Sequence, residues 1–181
     1  MHCISTELER FEVTYREHRT VVATVFEFTC GSCGMRFHAS GICDFIYGAF
    51  VMRTRNGEEA VLEAVTSPTF AEFVTLANTN PALAEIDEGK RHEVLQAAFT
   101  VACDFSESGE EFYIGLNPTC PQCASREMAS WKAVTSPRRS VIPLVTHSRW
   151  DRLSDSEKCV AVNAEIRRNI RENMADLNSK K

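Results

Sequence analysis

Two Cys-x-x-Cys pairs, Cys30-Gly31-Ser32-Cys33 and Cys120-Pro121-Gln122-Cys123, constrain this chain more than any other feature. Each such turn brings two sulfurs and several free N–H groups to one side, so two turns facing each other supply the four corners of a tetrahedral thiolate site. The flanks repeat as well: Thr29-Cys30-x-x-Cys33-x-x-Arg36 is mirrored by Thr119-Cys120-x-x-Cys123-x-x-Arg126, with β-prone residues ahead of each pair. A metal held by Cys30, Cys33, Cys120 and Cys123 requires two segments separated by 86 residues to meet.

In Phe26 to Phe37 and Asn117 to Trp131 the chain resembles the zinc-ribbon proteins, in which two such knuckles clamp one structural zinc ion. The resemblance implies a metal site and no particular activity. Knuckles of a simple ribbon stand much closer in sequence, so a hairpin-plus-helices segment, about 44–112, is expected as an insertion between them. Ala124 follows the second pair where ribbon knuckles have glycine. A competing ligand set lies inside the first segment. Cys30-x2-Cys33-x4-His38-x4-Cys43 is similar to the Cys-Cys-His-Cys knuckle of retroviral nucleocapsid proteins, which bind single-stranded nucleic acid, and Gly34 falls where that motif favours glycine. That set leaves Cys120 and Cys123 without a role, and Phe37 stands where that family has glycine, so the two-pair set is the expected one. Iron in a rubredoxin-like site would use the same four thiolates. A thioredoxin-like role for Cys30 and Cys33 needs the motif to open a helix within a βαβ unit, and Gly34 and Phe37 suggest a knuckle turn instead.

Whether paired cysteines hold metal depends on the compartment. Residues Met1 to Arg10 lack the basic and apolar regions of a signal peptide, and charges interrupt every apolar run before it reaches the length of a membrane span. A soluble cytoplasmic protein with no membrane partner is expected, and there paired cysteines hold metal more often than they form disulfides. A length of 181 residues with 44% hydrophobic content suits one domain, 1–181. The net charge of −5 offers no overall attraction to phosphate.

The expected fold class is α+β: a zinc ribbon with antiparallel β-hairpins and about three helices, the last one long. Thr20 to Phe28 reads as a strand running into the first cysteine pair. Phe45–Thr54 and Glu58–Val65 flank Asn56-Gly57, a strong hairpin signal. Pro68 opens a short helix to about Leu76, with Thr69 and Glu72 at capping-box spacing. Asn80-Pro81 repeats the start signal. Val94, Leu95, Ala98, Phe99 and Ala102 share one face of a helix from Glu88 to about Ala102, although Phe99, Val101, Cys103 and Phe105 also alternate like a strand that could turn back onto Phe112 to Ile114. Ser154 and Glu157 have capping-box spacing ahead of an apolar stripe of Cys159, Val162, Ile166, Ile170 and Leu177. Ala-Val-Thr-Ser-Pro occurs at 64–68 and again at 133–137, as two similar strand endings and not a duplicated domain.

The remaining candidates have plain readings. Cys3, Cys43, Cys103 and Cys159 read as small hydrophobes, and His147 as a packing or hydrogen-bonding residue, since no nucleophile or paired carboxylate accompanies it. Arg167, Arg168 and Arg171 lie among Glu165, Glu172 and Asp176, which favours pairing along the helix over a phosphate-binding stripe. No phosphate loop, dinucleotide glycine motif, His-Glu-x-x-His or Gly-x-Ser-x-Gly is present. No catalytic residue and no organic cofactor is therefore expected. The expected function is a non-catalytic zinc-binding protein-interaction module: an adaptor, a regulator, or an inhibitor of the immunity type. The alternatives are a nucleic-acid-binding zinc protein, with Arg36, Phe37 and His38 as contacts, and a metalloenzyme.

Overall fold

A computed structural model describes residues 20–41, 48–134 and 139–179. Cys3, Cys43, the start of the first hairpin strand at 45–47 and most of the second Ala-Val-Thr-Ser-Pro copy lie outside the described residues. The elements run β1 (Thr20–Cys30), β2 (Arg36–Gly41), β3 (Ala49–Arg53), β4 (Glu59–Glu63), α1 (Pro68–Asn78), α2 (Pro81–Ala84), α3 (Glu88–Ala98), a 3-10 turn (Phe99–Ala102), β5 (Tyr113–Ile114), β6 (Met128–Ala133), β7 (Arg139–Pro143), α4 (Ser148–Asp151) and α5 (Asp155–Ser179). Among the described residues the class is α+β, with two antiparallel sheets and five helices where about three were expected.

The first sheet is organised by β1, whose eleven residues are long enough to serve three partners. β2 pairs along one stretch, from Thr24↔Gly41 to Thr29↔Arg36. β6 pairs with the C-terminal half of β1, from Phe26↔Ala133 to Cys30↔Met128 with a bulge at Thr29 and Cys30, and β7 pairs with its N-terminal half, from Thr20↔Pro143 to Thr24↔Arg139. The second sheet has the order β4-β3-β5. Its hairpin turns at 54–58, where Thr54 N–H bonds Glu58 O (3.0 Å) and Gly57 takes φ 98°. The Asn-Gly signal thus marks the turn, while both strands stop short of it. A parallel bridge, Val61↔Leu144, and contact among Ala23, Val61 and Ile142 tie the two sheets together.

The main core lies between the second sheet and the helices and includes Met52, Leu62, Phe73, Phe99, Trp150, Val162 and Ile166. Phe99 contacts the rings of both Phe70 and Phe73 edge-on at 5.0 and 5.2 Å. This packing explains why the residues after Ala98 tighten into a 3-10 turn and do not become a strand: Phe99 and Ala102 both enter the core. β5 accordingly pairs with β3 and not with 99–105. The helix that opens at Pro68 is capped by Ser67, whose side chain accepts from Phe70 N–H (3.1 Å), two residues earlier than the Thr69–Glu72 spacing suggests. Proline at the first helical position fixes this frame, and it frees Glu72 for longer-range bonds. The Ser154–Glu157 capping box forms as expected, with Ser154 N–H donating to Glu157 Oε2 (2.8 Å) and Glu157 N–H to Ser154 Oγ (3.4 Å). Val162 and Ile166 of the stripe are buried.

α4 is positioned from a distance. Asp104 accepts from Thr146 Oγ1 (2.6 Å), Ser148 N–H (2.9 Å) and Arg149 N–H (2.7 Å), so it closes the start of a helix more than forty residues away. Partial burial opposes ionisation of this carboxyl, but the three donors outweigh it and hold the group below its ordinary value. A carboxylate so depressed adds stability that is present above the unfolded value, near 4, and is lost as pH falls through the folded one. Asp104→Ala is expected to cost about 2 kcal/mol at neutral pH. Urea unfolding at pH 7 and pH 3 should show the gap between variant and wild type narrowing at the lower pH; a gap that widens in acid would refute this account.

Among the described residues no helix is long and apolar enough to cross a membrane. His147 bonds Ala102 O (2.7 Å) and meets Phe99 edge-on, in keeping with a packing role. Cys103 is buried against Phe99 O, and burial pushes its thiol up. Arg168 pairs with Glu165 along α5 (2.5 Å), as the interleaved charges suggest.

Candidate metal centre

The two cysteine turns are built alike. Cys30 N–H donates to Met35 O (2.9 Å) and Gly34 N–H to Cys30 O (3.0 Å); in the second turn Cys120 N–H donates to Ser125 O (2.8 Å) and Ala124 N–H to Cys120 O (2.9 Å). The residue closing each loop is left-handed, Gly34 at φ 73° and Ala124 at φ 57°. Glycine meets that need without a Cβ penalty, whereas alanine strains there by roughly 1–2 kcal/mol. Ala124→Gly is therefore expected to raise stability by about 1 kcal/mol, less what its greater freedom when unfolded costs. A melting temperature equal to or below that of wild type would show that the turn is not strained at this position.

Their surroundings differ. The first turn joins β1 to β2 as a hairpin, whereas the residues before Cys120 form no strand, and only β6, after the turn, enters the sheet. Both turns meet at one end because β2 and β6 share β1. Gly31 N–H donates to Glu127 O (2.7 Å), and a Cβ on Gly31 would stand 3.1 Å from Glu127 Cγ, so a side chain there would crowd Glu127. Ser32 Oγ adds bonds to Ser125 Oγ (2.7 Å) and Glu127 Oε2 (3.2 Å). The mirrored arginines part company. Arg36 is 70% exposed and only 3.9 Å from Glu27, while Arg126 donates to Asn117 O (2.5 Å), Thr54 O (3.0 Å) and Arg55 O (2.5 Å), anchoring the second turn to the β3–β4 loop. Arg53 strengthens the same junction. Buried and paired with Glu59 (2.9 Å), it also donates to Leu116 O (3.1 Å) and to Ser40 O.

This scaffold gathers the sulfurs of Cys30, Cys33, Cys120 and Cys123 within 4.8 Å of one another. Cys30 lies 3.5 Å from Cys123 and Cys33 lies 3.6 Å from Cys120. A tetrahedral zinc–sulfur shell with bonds of about 2.3 Å has sulfur–sulfur edges of about 3.8 Å, so the donor set fits a thiolate-bound metal in both chemistry and size. Cys30 and Cys120 are buried among Phe26, Phe28 and Phe37, whereas Cys33 and Cys123 face solvent. The Cys33 N–H, outweighing burial and joined by the Ser32 N–H, lowers the Cys30 thiol to about 6. The Ser125 N–H acts the same way on Cys123, but hydrogen bonding with Cys33, burial and the other two thiols together push that group up to about 12. The Cys30 thiol is eased toward ionisation while Cys33 and Cys123 are held protonated beside it; a divalent cation bound among them would offset much of the thiolate repulsion and favour the ionised form.

His38 does not join the cluster. Alternation along β2 turns Phe37 inward, where it stacks on Phe28 at 5.9 Å, and leaves His38 exposed opposite Glu27. Cys43, the other member of the competing set, lies outside the described residues.

These residues define an α+β protein with a four-cysteine cluster able to hold a metal ion. Compared with known proteins, the chain matches no protein-family model, no curated protein and no solved structure.

Proposed function

We infer that this chain is a non-catalytic, single-domain cytosolic protein whose four-cysteine cluster carries one structural zinc ion, and that it works by binding another protein as an adaptor, regulator or inhibitor. The observation that carries this reading is the four-sulfur cluster itself. Four thiolates complete a tetrahedral shell, so a metal held there has no position left for a substrate or an activated water. Zinc suits such a closed site because it needs no further ligand and no redox partner; iron would use the same sulfurs and show a red colour. An exposed aromatic in the same sheet supports a protein partner: Trp131 of β6 is 66% exposed and meets Phe26 in an edge-to-face contact at 5.4 Å, and tryptophan is enriched at interface hot spots.

The nucleic-acid alternative has less support. Phe37, one of its contact candidates, is 7% exposed and packs inside the small core, so it offers no face for a base. Glu27 stands between the exposed cations Arg36 and Lys132 and bonds Lys132 at 3.1 Å.

The test has two parts. Elemental analysis should find about one zinc per chain in a colourless protein, and anisotropy at physiological salt should detect no binding to mixed-sequence single- or double-stranded nucleic acid. A red chromophore would replace zinc by iron, and sub-micromolar nucleic-acid binding would overturn the protein-partner reading. Affinity capture from native cells with wild type and Trp131→Ala then separates a specific partner, lost in the variant, from background.

A further inference from the structure

We propose that the four-cysteine cluster is also a peroxide-sensitive switch, which on oxidation releases its metal and closes into two disulfides across the turns, Cys30–Cys123 and Cys33–Cys120, and not within them. This rests on the metal reading given above.

Three observations converge on it. Two close sulfur–sulfur approaches run between the turns, at 3.5 Å for Cys30 with Cys123 and 3.6 Å for Cys33 with Cys120. Each of these pairs joins an exposed sulfur to a buried one: Cys123 and Cys33 face solvent, Cys30 and Cys120 do not. The turns are also held together without metal, by the Gly31–Glu127, Ser32–Ser125 and Ser32–Glu127 bonds, so losing the ion does not separate them.

The chemistry follows from access. A peroxide reaches the outer sulfur of Cys33 or Cys123 first; the thiolate attacks it, the O–O bond breaks, and a sulfenic acid forms as hydroxide leaves. The buried thiol facing it across the interface then attacks that sulfur, the S–O bond breaks, and the hydroxyl departs as water. Each disulfide consumes one peroxide, which accepts two electrons from the two sulfurs and ends, with two protons, as two waters. Once two thiolates are removed, the ion has lost half its ligands and departs. The resulting cross-links preserve the junction that the metal held, so the switch exchanges one staple for another.

The experiment uses the full chain as purified. Its metal content is measured first, hydrogen peroxide is titrated in while a chromogenic chelator reads released zinc, and the product is digested with trypsin without reduction after free thiols are blocked. Trypsin releases residues 20–36 and 92–126 as separate peptides, each carrying one cysteine turn and no internal cleavage site. Metal release after about two equivalents of peroxide, with the two peptides joined, is the expected result. The oxidised metal-free protein should also melt about 10 °C above the reduced metal-free protein, because the new bonds close long loops. Separate peptides with internal disulfides, or sulfonic acids with no joined product, would overturn the proposal. Protein that carries no metal when purified reduced would instead refute the metal reading, while the peptide map of the same sample, with fragmentation between Cys30 and Cys33 and between Cys120 and Cys123, still decides the pairing.

Discussion

Cys120→Ser is expected to lose the bound metal and about 4 kcal/mol or more of stability. Metal binding energy is folding energy when the site forms only in the folded chain, and loss of a structural metal belongs to the short list of changes that exceed the usual cost of a point substitution. Here the loss would spread beyond the site, because a metal held by all four cysteines would staple the second turn onto the end of β1 and β2 while Arg126 and Arg53 carry that turn on to the β3–β4 hairpin. Metal retention should also weaken as pH falls, since protons compete for the same sulfurs. His38→Ala is the control: its ring is exposed on β2 and, among the described residues, belongs to no metal-sized cluster, so metal content and melting should match wild type. Metal analysis after gel filtration, with denaturant unfolding of both variants, decides the matter. Cys120→Ser that keeps its metal while His38→Ala loses it would reassign the ligands to the first turn and its following histidine.

Trp150→Ala is expected to cost about 3–5 kcal/mol, the range for deleting a large aromatic from a packed core. Trp150 has 0% exposure and sits where α4 meets the main core. Its Nε1 donates to Glu72 Oε2 (2.7 Å), and Lys158 Nζ grips both oxygens of that carboxylate at 2.8 and 3.0 Å, with its charge 5.3 Å from the indole ring. One tryptophan therefore ties α1, α4 and α5 together. These donors, led by Lys158, hold the Glu72 carboxyl below its usual value. Trp150→Phe keeps most of the ring volume and removes one donor, so its cost should fall to roughly 1–3 kcal/mol. Urea unfolding of both variants checks the order; a cost below about 1 kcal/mol for Trp150→Ala would show that the surrounding helices collapse into the space.

What could be read from the sequence was local or carried by few residue types. The α5 start was legible because Ser154 and Glu157 satisfy each other's N–H groups within one turn, and its core face because Val162 and Ile166 recur at helical spacing. Asn56-Gly57 marked a hairpin because few dipeptides turn so tightly. The four cysteines stood out for a similar reason: few arrangements other than a shared metal explain two matched pairs in one chain. Even Ala124, which departs from the ribbon pattern, marked a real requirement, since it takes the same left-handed conformation as Gly34.

The remainder needed the tertiary structure. Strand pairing is a choice among distant segments, and nothing local says that β6 and β7 take successive stretches of β1, or that β5 joins β3 and leaves 99–105 to a 3-10 turn. Asp104 caps α4 across a stretch that includes three strands, and Glu72 leaves an apparent capping box to hold Trp150 and Lys158; these bonds join groups that sequence spacing does not relate. The mirrored Arg36 and Arg126 stand at the same spacing from their cysteine pairs and have opposite fates, one in solvent and one tied to three carbonyls. The sequence determined which atoms are able to hold a metal, because ligand chemistry belongs to the side chain. The tertiary structure decided which sulfurs face each other, which are exposed and what the cluster fastens together, because those are properties of surfaces that meet only once the chain has folded.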